Sequence, residues 1–159
     1  MLSTETYEKH EPADLHAVHD IGPAAREVRI TDKPYKDYEG RAVRAVDFHV
    51  GESFTMGTVR NRDKLVLLHI GANEGGGRTK YQNMRQGHGF AVMQRAIKYA
   101  ADNGLRFFVN QFVPDQVQPL FYKLAREGYD VRIPAHWRAS ASVEIGTTEA
   151  SFGPFEVDW

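Results

Sequence analysis

The feature that most constrains this chain is a repeated switch of hydrophobic period within Lys64–Ile133. Lys64–Ile70, KLVLLHI, is a continuous apolar run, the composition of a strand buried on both faces of a sheet. Gly71–Gly77 is Gly-rich and reads as a loop. From Gly89 onward, Phe90, Met93, Ile97 and Ala100 recur at three and four, the period of an amphipathic helix, and Asn103-Gly104 closes it. Leu105–Val113, LRFFVNQFV, is a second buried-strand candidate, and Pro114-Asp115 turns the chain. Pro119 suits the first turn of another helix, which carries Leu120, Phe121 and Leu124 and ends at Gly128. Tyr129–Ile133 reads as a strand. Strands alternating with helices in this way predict helices packed on a central sheet, an α/β (α+β) domain.

The flanks are less regular. Met1–Pro12 is polar and reads as loose. Pro12–His19 predicts a short helix, with Leu15 and Val18 on one face and a break at Gly22-Pro23. Val28 and Ile30 alternate with charged residues, as in a short strand that Lys33-Pro34 ends. Arg41–Val50 and Ser53–Arg60 predict two more strands, with turns at Gly51–Ser53 and Asn61–Asp63. Ser142–Ile145 and Pro154–Val157 are weaker strand candidates, able to pair as a hairpin around Gly146–Gly153.

Composition narrows the function. A chain of 159 residues with 42% apolar content suits one domain, residues 1–159, with a core that needs no staples. There are no cysteines, which excludes disulfides, thiolate zinc sites and cysteine nucleophiles. The net charge of −1 argues against a general nucleic-acid binder, which relies on a basic excess. No run is long and apolar enough to span a bilayer, and MLSTETYEKHEP has no secretory pattern. The expectation is a soluble, cytoplasmic protein.

Against that neutral background one segment is cationic. Between Glu74 and Asp102 there is no acidic residue, yet Arg78, Lys80, Arg85, Arg95 and Lys98 lie there. The same segment holds Arg85-Gln86-Gly87-His88-Gly89-Phe90, where a loop runs directly into a helix. Glycines let the backbone approach a ligand, and the first N–H groups of a helix have no internal partners. With the helix dipole they make an anion site. The plain alternative is a tight turn beside a solvated basic face. An NTPase P-loop is excluded for lack of G-x-x-x-x-G-K-[ST], and no third glycine completes a dinucleotide fingerprint.

The run RQGHGFAVMQRAIKYAADNGLRFFVNQFVPDQVQPLFYKLAREGYDV resembles the GNAT superfamily of acyl-CoA-dependent N-acyltransferases. Gly87-His88-Gly89 stands for the family's G-x-G, Ala91–Asn103 for its helix, and Leu105–Val113 for the next strand. Asp115 stands where an Asn often opens the second helix, and Gly128-Tyr129 matches the closing pair. Met84 occupies the place of a basic or Gln residue, with Arg85 one position late, and Tyr122 lies six residues before Gly128. The resemblance implies a central mixed, mostly antiparallel sheet with helices on both faces. It implies acetyl-CoA as co-substrate and an amine as acceptor. It assigns pyrophosphate binding to the backbone around Gln86–Phe90, assisted by Arg85. A backbone N–H near Ile70 would stabilise the oxyanion. Tyr122 would protonate the leaving thiolate. The acyl group would lie between Lys64–Ile70 and Leu105–Val113.

The residues themselves leave the general base open among His69, Glu74 and, less directly, His49. Strand alternation puts His69 on the same face as Leu67. His88 lies inside the motif. His16 and His19 form H-x-x-H with His10 nearby, but no third ligand has motif spacing, so no metal is expected. Trp137, Phe152, Phe155 and Trp159 read as cover for the sheet, an acceptor-pocket lining or a homodimer surface. Two other functions remain: a non-catalytic binding or regulatory protein on this scaffold, and an enzyme modifying nucleic acid through the basic patch.

Overall fold

Alternation of apolar and polar residues builds the first half of the chain into an antiparallel meander. In the computed structural model, which describes residues 16–73, 79–80, 87–109, 117–133 and 142–148, this meander is β1 (Arg29–Lys36), β2 (Ala42–Val50), β3 (Phe54–Asn61) and β4 (Lys64–Asn73). Two short helices precede it, α1 (His16–His19) and α2 (Pro23–Arg26). Gly22-Pro23 separates them, because proline at the first helical position starts α2 rather than only ending α1.

Two sequence expectations change here. Pro34 does not end β1, which runs on to Lys36. β1 is the first strand of the sheet order, so its outer edge needs no N–H from Pro34. Gly71–Asn73 also continue β4 instead of opening the glycine loop.

The second half alternates as the sequence predicts. β5 (Thr79–Lys80) precedes α3 (His88–Asp102), then β6 (Arg106–Val109), α4 (Gln118–Arg126), β7 (Val131–Arg132) and β8 (Val143–Ile145). The order across the sheet is β1-β2-β3-β4-β6-β8-β7, with β5 also on β4. Only β4 and β6 run parallel as neighbours, so the sheet is mixed and mostly antiparallel. β8 pairs with β6 and β7 rather than with Pro154–Val157, which lies outside the described residues, as do 1–15 and 110–113.

One face of the sheet holds the main core. Val46, Phe48, Phe54, Met56, Leu65, Leu67, Phe107, Val109, Val143 and Ile145 pack there with Val92, Met93, Ala96, Ile97 and Ala100 of α3. α1, α2 and α4 each contact α3, so the described helices form one layer. The expectation of helices on both faces is therefore not met among the described residues. The reason is topological. β4 is parallel to β6, and β6 and β7 are both antiparallel to β8. The two crossovers through α3 and α4 advance in the same direction along the sheet, and right-handed crossovers then put both helices on the same side. No described helix is long and apolar enough to cross a membrane.

Candidate functional site

The run KLVLLHI is not a uniformly buried strand. Its pairing with β3 slips between Gly57 and Thr58: Leu67 faces Thr58 and His69 faces Gly57, leaving Leu68 as an extra residue. This β-bulge reverses the alternation. Leu67 and Ile70 stay buried in the core, while Leu68 is 39% exposed and His69 is exposed on the helix-free face. The expectation that His69 shares a face with Leu67 is thus overturned by one inserted residue. The imidazole lies across Gly57, where a side-chain Cβ would collide with the ring. Gly57 is the seat that allows this approach.

On the β6 side, β4 is paired at Lys64–Val66 with Arg106, Phe107 and Phe108. It is paired again at Ala72 and Asn73, by β5. Residues 110–116, which follow β6, lie outside the described residues, so the described pairing with β6 stops at Val66. Ile70, the residue expected to offer an oxyanion N–H, lies beyond that point and is paired with Met56 on the β3 side.

The start of α3 lies close to the far end of β4. His88 makes an edge-on ring contact with Phe54, centroids 5.7 Å apart, and Phe54 pairs with Ala72 of β4. Gly87 stands at the N-cap with φ of 80°, in the left-handed region, and no side chain caps the helix. The first turn carries no acidic residue. The N–H groups at His88–Phe90 are therefore uncapped by side chain and carry the positive end of a 15-residue helix. Lys123 of α4 holds its ammonium 4.4 Å from the Phe90 ring centre. It adds a cation beside this terminus that sequence reasoning did not single out, because only packing of α4 on α3 brings it there.

Of the remaining sequence candidates, Tyr122 is half-buried in the helical layer and packs on the core. His69 lies on the opposite face of the sheet, so the two are not brought together. Glu74, Arg85, Gln86 and Asp115 lie outside the described residues. His19 has its own partner, Asp102, at 3.5 Å.

The helix-free face carries two polar groups that the sequence did not reveal. In one, His49 Nε2 is 2.9 Å from the Thr31 hydroxyl and Nδ1 is 3.2 Å from the Thr55 hydroxyl. Burial holds this imidazole below its ordinary value; Arg29 adds to the effect and Asp47 opposes it. In the other, Glu144 of β8 is fully buried between Arg106, at 2.6 Å, and Arg132, at 3.0 Å. Burial pushes its carboxyl up to about 7, against the pull of both guanidinium groups. Arg132 also lies 3.7 Å from Asp130, and Arg106 stacks over Phe108 at 4.9 Å.

A separate depression of about 200 Å³ is lined by Ala17, Asp20, Gln94, Glu127 and Tyr129. It is smaller than most small-molecule pockets. Compared with family models, with curated proteins and with solved structures, the chain finds no match.

Proposed function

We propose that the protein is an N-acyltransferase of the GNAT type, which moves an acetyl group from acetyl-CoA to an amine. The observation that carries this reading is the N-terminus of α3, open to an anion and set against the far end of β4. The residues present suit such a donor. Gly87 brings bare backbone to the helix start, no acid repels a pyrophosphate in the first turn, and Lys123 stands at the same place. Bound there, acetyl-CoA supplies an activated thioester.

The chain's own residues do the rest. N–H groups at His88, Gly89 and Phe90 hold the phosphates. A backbone N–H of β4, at or beside Ile70, donates to the thioester carbonyl oxygen as charge develops on it. The donor lies on the helical side and the amine approaches from the other side of the sheet, at the far end of β4. His69, seated over Gly57, accepts the amine proton on that second side. Tyr122 remains the candidate proton donor to the thiolate, supported by the sequence resemblance alone.

Calorimetry with acetyl-CoA tests the reading. Wild type is expected to bind in the micromolar range, about −8 kcal/mol. His88→Glu and Lys123→Glu should each weaken binding at least tenfold. His88→Glu puts a favourable charge at the helix start, so it should not unfold α3. Failure of well-folded wild type to bind would sink the proposal. Binding without transfer to any amine would leave a non-catalytic acyl-CoA-binding protein.

A further inference from the structure

The depression lined by Ala17, Asp20, Gln94, Glu127 and Tyr129 forms where the ends of α1 and α4 meet the middle of α3. Gly128, with φ of 99°, turns the chain out of α4 in the left-handed conformation that glycine allows. The same turn lies against α1: a Cβ at Gly128 would stand 3.8 Å from the Ala17 Cβ. That contact sets Asp20, which follows α1, and Glu127, the C-cap of α4, on the rim of one hollow. Both residues are exposed, and neither carboxylate has an ion pair or hydrogen bond among the described residues. Of the two basic residues in the last turn of α4, Lys123 lies over Phe90, and neither lines the hollow.

The Tyr129 phenol lines the same hollow and is only 3% exposed. Its oxygen accepts a hydrogen bond from Gln94 Nε2 at 3.2 Å. Its own O–H has no acceptor, and Gln94 Oε1 has no donor, among the described residues. A buried hydroxyl left in this state is costly unless an occupant pairs with it. Burial raises the phenol above its ordinary value, Gln94 opposes the rise, and Glu127 and Asp20 both add to it. Both carboxylates therefore act on the same hydroxyl. Water could pair with the phenol and the amide, but it brings no charge to the carboxylates.

We propose that this hollow binds a small amino alcohol, its protonated amine between Asp20 and Glu127 and its hydroxyl between Tyr129 and Gln94. The ammonium donates to the two carboxylates. The ligand hydroxyl accepts from the phenol O–H and donates to Gln94 Oε1, which no alkylammonium can do. The volume of about 200 Å³ is that of roughly seven waters in the liquid, so the occupant has about seven non-hydrogen atoms. The inference does not rest on the acyltransferase reading, since none of these residues belongs to that site.

The test is a nuclear magnetic resonance titration of the full chain, labelled with heavy nitrogen. The side-chain amide signal of Gln94, identified by its loss in Gln94→Ala, reports on the hollow directly. Three probes of equal size separate the contributions: diethanolamine, di-n-propylamine and diethylene glycol. Diethanolamine should shift the signal saturably. Di-n-propylamine, which lacks hydroxyls, should bind about fivefold more weakly, the scale of one hydrogen bond. Diethylene glycol, which lacks the charge, should bind about tenfold more weakly, the scale of two exposed ion pairs. Asp20→Asn and Glu127→Gln should each weaken diethanolamine about threefold and leave melting unchanged. Tyr129→Phe should bring the two amines to equal affinity. Equal binding of diethanolamine and diethylene glycol, or wild-type affinity in the doubly substituted Asp20→Asn/Glu127→Gln chain, would overturn the cation site. A preference for diethanolamine over di-n-propylamine that survives in Tyr129→Phe would overturn the hydroxyl's place. No response of the Gln94 signal to diethanolamine would overturn the whole proposal.

Discussion

The two faces of the sheet are stabilised by different physics. The helical face is mainly apolar: Phe107, Val109, Val143 and Ile145 meet the stripe Val92, Met93, Ala96 and Ile97, and its buried Thr58 hydroxyl donates to the Val46 carbonyl. Its stability depends on filled volume. The helix-free face carries His49 between two threonines, His69 over a glycine, and Glu144 between two arginines. Its stability depends on pairing and charge. The contrast teaches where chemistry can reside in this fold. A face that only needs volume tolerates no titratable group, whereas a face built on pairing can hold groups near neutrality.

The largest effects should come from breaking each face in its own way. Phe107→Ala empties a fully buried ring site, and chemical denaturation should show a loss of about 3–5 kcal/mol. Glu144→Ala leaves Arg106 and Arg132 facing each other without their shared carboxylate. A loss of similar size, about 3–5 kcal/mol, is expected by the same measurement. A much smaller loss would mean that the pairing on this face is dispensable.

Titration sharpens the comparison. The Glu144 carboxyl rises on folding from 4.5 to about 7, so the folded state binds its proton more tightly. Its contribution to stability is complete below about pH 4.5 and is lost as pH rises through about 7. His49 runs the other way. Its imidazole is lowered, so its contribution is present above about 6.5 and is lost as pH falls below that. Denaturation across this range should show Glu144→Gln removing a decline with pH, and His49→Gln removing a rise. Identical profiles for wild type and both variants would deny the helix-free face its titratable character.

The smaller effects separate position from stability. Gly57→Ala should displace the His69 ring, with a stability change of no more than about 1 kcal/mol, since the exposed ring can swing away. On the proposed function, it should still cost at least tenfold in turnover, read as kcat with unchanged acetyl-CoA affinity. Leu68→Thr, on the exposed extra residue of the bulge, should change stability by about 0.5 kcal/mol or less. A loss of several kcal/mol there would mean that the helix-free face is buried by packing after all.

Much of the fold was legible because it follows local rules. The spacing of Phe90, Met93, Ile97 and Ala100 predicted α3, and Pro119 with Gly128 bracketed α4. β2 and β3 fell where alternation and turn residues placed them. The helix start at Gly87–Phe90 was legible for the same reason, as glycines before an amphipathic period with no acid nearby. β1 was harder, since Pro34 ends a central strand but not an edge strand, and the edge is a property of the sheet. The bulge was hidden because a continuous apolar run has no parity to read. Leu68 and His69 turn outward only through their register with Gly57.

Local composition and period therefore determined which segments are strands and helices, where α3 begins, and that its first turn is free of negative charge. Those properties depend on neighbours within a few residues along the chain. Tertiary structure alone decided that both long helices share one side, that a bulge turns His69 away from Leu67, and that Lys123 reaches Phe90. It also decided that Glu144 is buried between Arg106 and Arg132, and that His49 meets Thr31 and Thr55. These meetings join residues distant in sequence, and their register is set by crossovers and one bulge, for which a linear pattern has no signal.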